Sequence, residues 1–416
     1  MSEHDPQFLA EVCSSEATFQ LQELFYSRTD ERGVIRAGNT VFQRVAGLDW
    51  DALIGAPHRV IRHPDMPRGV FQLLWDRIRA GKPTGAYVKN RRSCGRFYWV
   101  FALVAPFEGG YISTRIKPTS DLFPKVSDCY ADLLRREAEG LTPADSAEAL
   151  RTMVTGMGFA SYHAFQAHAL ATELEARARQ LARPMDPLQR RFLEMSKAVD
   201  EVQREILEMK EAFKAIRTVP LNMRLIASRL ENAGGPISAI SVNYSQMLEE
   251  MSTWVTTFAE GESCVFARIR DAILNGQFLG FATAVEAEML AVFRDEKIRL
   301  AGIYPASVKI DDEIAEVERH RAQFLRQTAD SLREVEQEAK RFARSVLDMK
   351  RYVTGLSSTR MMCKIESATL AGSGTALSGI VEQLDSCQDE IESRLARVVE
   401  LNSIVQNNTS MLRSLI

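Results

Sequence analysis

From Asp186 onward, apolar residues recur at alternating steps of three and four. The first series is Val199, Val202, Ile206, Met209, Phe213, Ile216; the second is Val335, Ala339, Phe342, Val346, Met349, Val353, Leu356. That spacing keeps one stripe along one side of a helix and requires other helices to cover it. It predicts long packed helices rather than sheet. A shift of 140 residues, without a gap, lays Val202 on Phe342, Ile206 on Val346, Phe213 on Val353, Gly234 on Gly374 and Ile240 on Ile380. The coincidence of glycines as well as apolar positions predicts a duplicated hairpin. Four antiparallel helices are expected, at about 187–232, 236–300, 306–371 and 375–416. Reversals fall at Ala233-Gly234-Gly235-Pro236 and Ala371-Gly372-Ser373-Gly374, where glycine supplies the backbone angles of a tight turn, and at Tyr304-Pro305.

The first 118 residues read differently. Residues 1–20 read as an N-terminal cap with a polar, acidic start. Leu24 to Asp30 and Val34 to Ala37 read as strands about an Arg32-Gly33 turn, and Asn39 caps a short helix. Further strands are expected at Thr84 to Lys89, Arg96 to Pro106 and Tyr111 to Lys117. Between them lies Arg62-His63-Pro64-Asp65-Met66-Pro67, whose two prolines stop a long helix and hold polar side chains on a short turn. Fixed polar groups beside an apolar wall suit an anionic, partly aromatic ligand.

The run Val60 to Pro67, followed by Phe71, Trp75, Gly81-Lys82-Pro83, Val88-Lys89-Asn90-Arg91-Arg92 and Tyr98-Trp99-Val100, resembles the PAS domain of bacterial aerotaxis receptors. The resemblance covers residues 21–118 and implies an α+β PAS sensor domain, an antiparallel sheet with short helices, holding FAD non-covalently. It places Asn39, Arg62, His63, Asp65 and Trp75 at flavin-binding positions. This chain carries Thr84 where that family usually has a tryptophan. Asn90 is a further candidate, because an amide suits the edge of a flavin ring. Each residue has a plainer role too. Arg62 can pair with Asp65 or Glu23, His63 can cap the turn, Asp65 can fix the loop, and Trp75 can be core. The Lys89 to Arg92 run can be a solvated strand end.

Residues 119–185 turn helical, with Thr142 capping a helix whose first turn holds Pro143, and read as a connector that packs on the sensor or carries its movement onward. Residues 186–416 then resemble the helical signalling domains of chemoreceptors (methyl-accepting chemotaxis proteins), degenerate at their tips. The fold expected is thus a PAS domain followed by a long all-α antiparallel four-helix coiled-coil bundle of two tandem hairpins. The resemblance implies a chemotaxis-type kinase or coupling protein as partner, with homo-oligomers through PAS or bundle.

A formal charge of -3 argues against a nucleic-acid partner. Six scattered cysteines without metal spacing fit a reducing, cytoplasmic setting, and no apolar run spans a bilayer. No triad, paired-carboxylate or phosphate-loop pattern appears, so no enzyme is expected. His163 and His168 point apart on a helix, which disfavours haem, and Met361, Met362 and Cys363 read as core filling. Two readings remain besides haem. One is a redox or oxygen sensor with FAD; the other is an interaction scaffold with an empty or structural pocket.

Overall fold

The computed structural model describes residues 15–228, 234–260, 264–300, 302–369 and 374–416. The N-terminal part is a five-stranded antiparallel sheet of β1 (Phe25–Asp30), β2 (Ile35–Gly38), β3 (Thr84–Arg91), β4 (Phe97–Phe107) and β5 (Gly110–Ile116). Its order is β2-β1-β5-β4-β3. Between β2 and β3 come α1 (Thr40–Ala46), α2 (Trp50–Leu53), a 3-10 turn (His58–Ile61) and α3 (Arg68–Arg79). The order of strands and short helices is the expected one. On β5 apolar and polar residues alternate, so Ile112 and Ile116 face one way while Ser113 and Arg115 face the other.

Three helices follow, α4 (Leu122–Ala138), α5 (Pro143–Gly156) and α6 (Tyr162–Gln180). They pack on the sheet. Tyr162 donates to the Gly85 carbonyl at 2.9 Å, Tyr130 to that of Tyr87 at 3.2 Å, and Tyr87 to the Glu173 carboxylate at 2.8 Å. Thr142 caps α5 as expected, its hydroxyl accepting from Asp145 N.

The long helices are α7 (Pro187–Ile216), α8 (Val219–Ala227), α9 (Gly234–Ala259), α10 (Val265–Arg299), α11 (Ile310–Thr369) and α12 (Gly374–Leu415). The first expected helix is therefore broken at Arg217–Thr218, because Pro220 in the first turn of α8 has no N–H to continue the ladder. The second is divided between α9 and α10. Of the expected reversals, Gly234 to Pro236 already belong to α9 and Gly374 opens α12, while 233 and 371–373 lie outside the described residues. No described helix is long and apolar enough to cross a membrane.

Contacts divide the chain into two compact units. One comprises the residues up to Gln189 with Leu274–Thr328, the other Arg190–Ile273 with Ala329–Ile416. Compactness thus does not follow chain order, because α10 and α11 each contribute to both units. In the first unit, Phe278 lies against Gly85, where any Cβ would sit 2.8 Å from the Phe101 ring, and Phe293 meets Tyr26 edge-on with ring centres 4.9 Å apart. Both contacts cover the sheet face opposite Ser27 and Val88.

In the second unit every residue of both predicted seams is buried. Partners on α7 and α12 run in opposite order: Arg191 with Asn408 at 3.0 Å, Glu201 with Arg397 at 2.9 Å, Glu205 with Arg394 at 3.0 Å. So do those on α9 and α11, where Trp254 donates to Ser345 at 2.6 Å and Phe258 meets Phe342. The shift of 140 residues maps contacts onto contacts. The Arg224–Ser245 bond at 3.0 Å becomes the Lys364–Asp385 pair at 2.8 Å, and Glu205–Arg394 becomes Ser345–Trp254. Exposed apolar residues coincide too: Leu207 with Leu347, Leu221 with Met361, Leu225 with Ile365. Met361 and Met362 are therefore surface residues, not core. Leu356, Thr359 and Cys363 take the buried stripe, and the helical period turns the two methionines outward.

Candidate ligand site

The first unit encloses a cavity of about 280 Å³ between one face of the sheet and α3 with its preceding turn. Volumes of roughly 300–1,000 Å³ are usual for small-molecule sites, so this one admits a flat heterocycle rather than a whole dinucleotide. The sheet supplies alternate residues: Ser27 and Thr29 from β1, Val88 and Asn90 from β3, Tyr111, Ser113 and Arg115 from β5. Phe71 and Trp75 from α3 form the opposite wall. Arg32, Arg59, Arg62 and Arg115 also line it, and among the described residues no Asp or Glu does.

The proline-braced turn is built as a support. Pro67 ends it and α3 begins, its first N–H groups, Arg68 and Gly69, donating to the Glu137 carboxylate at 3.0 and 3.1 Å. Gly69 is required there, since a Cβ would come within 2.4 Å of Ser146. Arg62 pairs with neither Asp65 nor Glu23. Its guanidinium lies 3.7 Å over the Phe71 ring, and burial lowers its pKa from the usual value. Trp75 is half-buried, with Tyr111 edge-on at 5.4 Å and Gly33, at φ +76, against its ring edge.

Of the six candidates from the sequence, Arg62, Trp75 and Asn90 line the cavity, and Asn39, His63 and Asp65 do not. Asn39 is buried and committed to backbone: it accepts from Tyr26 N at 3.0 Å and Phe42 N at 3.1 Å and donates to Leu24 O at 2.8 Å. His63 accepts from Asp65 N at 3.0 Å, and Asp65 pairs with Lys89 at 3.0 Å, which holds its carboxyl below the usual range. These three fix the frame. Thr84 also lies outside the cavity, its hydroxyl donating to Gln166 at 3.1 Å.

Sequence reasoning missed Ser27, His58, Ser113 and Arg115. Arg115 is buried and donates through Nη2 to Ser27 Oγ at 2.8 Å and to His58 Nε2 at 2.7 Å. To accept, that nitrogen must carry no proton. Burial and the neighbouring guanidinium push the His58 pKa down to about 3, and burial brings that of Arg115 down to about 10. Among the described residues Arg115 has no carboxylate partner. Asn90 Nδ2, Ser113 Oγ and Arg115 Nη1 are buried without any hydrogen-bond partner. The one available signal was the Ser113, Arg115 alternation on a strand whose other face carries Ile112, Thr114 and Ile116. The cavity's polar ends are well separated. Asn90 pairs across the sheet with Tyr98 and Arg115 with Ala102. Those β4 residues stand about 13 Å apart at ~3.3 Å per residue. An elongated, anionic, partly aromatic ligand matches this arrangement.

Over 112 residues, 26% of this chain, the sequence is 38% identical to the protein named aerotaxis receptor from Escherichia coli (strain K12). The match covers 22% of that protein, so the chain spans about a fifth of this relative's length. No known family profile matches the chain.

Proposed function

We propose that the cavity holds the flavin of FAD and that the chain is a non-catalytic redox- or oxygen-responsive signalling protein of the aerotaxis and chemotaxis type. The observation that carries this is a cavity walled by Phe71, Trp75 and Tyr111, whose lining among the described residues holds four arginines, no acid and three orphaned polar groups. Phe71, Trp75 and Tyr111 offer apolar surface to a ring, and Asn90 an amide to its edge. Arg32 and Arg59, exposed at the rim, suit a pyrophosphate running outward. When bound, the flavin supplies a reversible electron store. The partial likeness to an aerotaxis receptor supports chemotaxis-type signal transduction.

The second unit fits the output of such a sensor. Its contacts support an antiparallel four-helix bundle made of two tandem hairpins in a PAS-plus-chemoreceptor architecture, with a chemotaxis-type kinase or coupling protein, or a second copy of the chain, as partner. The test is the absorption spectrum of the purified full chain, followed by FAD release on denaturation. A flavin spectrum lost in Arg62→Ala is the expected result. A colourless protein that takes up no added FAD refutes the proposal and favours the scaffold reading.

A further inference from the structure

The structure assigns to Arg115 and Ser113 a subsite for the negatively charged edge of the ligand, and to Arg115 the setting of its redox potential; this rests on the flavin reading above. The two residues stand two apart on β5, so both side chains project from the same face into the cavity wall. Each carries a buried polar atom with no partner, Arg115 Nη1 and Ser113 Oγ. Leaving such groups unpaired is unfavourable, and a ligand oxygen satisfying both removes the penalty. Ser113 can donate, as can Nη1, so the complementary group is an acceptor.

Charge sharpens the assignment. Arg115 is fixed by two neutral acceptors, Ser27 Oγ and His58 Nε2, and among the described residues the cavity lining holds no carboxylate. Its positive charge is therefore oriented but not compensated, in surroundings where burial strengthens electrostatic attraction. Arg115 favours whichever ligand state is negative at this edge. FAD reduced by two electrons with one proton carries one more negative charge than oxidised FAD, so the subsite binds it more tightly and raises the midpoint potential.

The experiment uses the full chain with FAD as probe, comparing wild type, Arg115→Gln, Arg115→Lys and Ser113→Ala. Affinity is read for both redox states, and the midpoint potential by dithionite titration against a reference dye. Arg115→Gln is expected to weaken reduced FAD by about 10- to 100-fold, the worth of a charge-assisted hydrogen bond. A tenfold preference for the reduced state corresponds to a fall of about 30 mV for a two-electron couple. Arg115→Lys restores most of the potential. Ser113→Ala keeps the fold, because its hydroxyl has no partner to lose, and weakens FAD about fivefold. It decides the matter if Arg115→Gln does not fold. Unchanged affinities and potential in the variants, with wild type binding FAD, overturn the subsite alone. Wild type that binds FAD in neither state overturns the flavin reading and the subsite together.

Discussion

Glu313 offers the sharpest test of how the sheet holds α11. Its carboxylate is buried, with the side chain 1% exposed, and accepts from Arg28 Nε at 2.9 Å, Arg28 Nη2 at 2.5 Å and Tyr26 OH at 2.8 Å. The hydrogen bond to Glu313 raises the Arg28 pKa further, and burial with Glu313 raises that of Tyr26. Tyr26 and Arg28 flank Ser27 on β1, so the strand that bounds the cavity on one face grips α11 with the other. Removing one partner of a buried pair costs about 3–5 kcal/mol. Arg28 is 26% exposed and can be partly rehydrated, so Glu313→Ala should fall near the lower end, about 3 kcal/mol. Glu313→Gln keeps an acceptor for Tyr26 but turns an amide donor toward the guanidinium, and is expected to lose about 2 kcal/mol. The assay is hydrogen exchange of β1 and β5 amides, which reports this unit without assuming that the whole chain unfolds at once. A double-mutant cycle of Glu313→Gln with Arg28→Met should return a coupling of about 2 kcal/mol. A coupling below about 0.5 kcal/mol, the usual scatter of independent sites, would refute the reasoning.

Asn39→Ala removes three hydrogen bonds at a buried site outside the cavity, so urea unfolding should show a loss of about 2–3 kcal/mol, with FAD affinity unchanged in the protein that remains folded. His58 and His163 are depressed to about 3 and about 4, chiefly by burial. The unfolded chain then binds more protons below its ordinary histidine pKa of about 6.5, and stability falls as pH drops from there toward 5. Each histidine adds a slope of up to about 1.4 kcal/mol per pH unit, and denaturation at pH 7, 6 and 5 should find a shallower slope in His58→Gln. Cysteines placed at 205 and 394 should cross-link as readily as cysteines at 254 and 345, and failure of one pair alone would count against the duplication.

Much of this architecture was legible in the order of residues. Strand-forming runs bounded by turn residues marked the strands, Asn39 and Thr142 announced their helices, and the three-four spacing announced the long ones, because these signals act within a few residues of chain. The 140-residue shift likewise needed only the sequence, since matching stripes must meet matching partners. The candidate site was half legible. Arg62, Trp75 and Asn90 line the cavity, but Asn39, His63 and Asp65 sit in the same local patterns and turn their polar atoms to backbone or Lys89. Which way a side chain on a turn is spent depends on neighbours distant in the chain.

Arg115 makes the point most directly. Nothing within five residues distinguishes it from a solvent-facing strand arginine; only the pairing of β1 beside β5, which brings Ser27, and the anchoring of the 58–61 turn on Gly33, which brings His58, set these two acceptors against it. The helix expected to run from 187 to 232 passed over the proline that breaks it, and the sharing of α10 and α11 between two units had no local signal at all. A helix's stripe says that it must be covered, and packing decides by what.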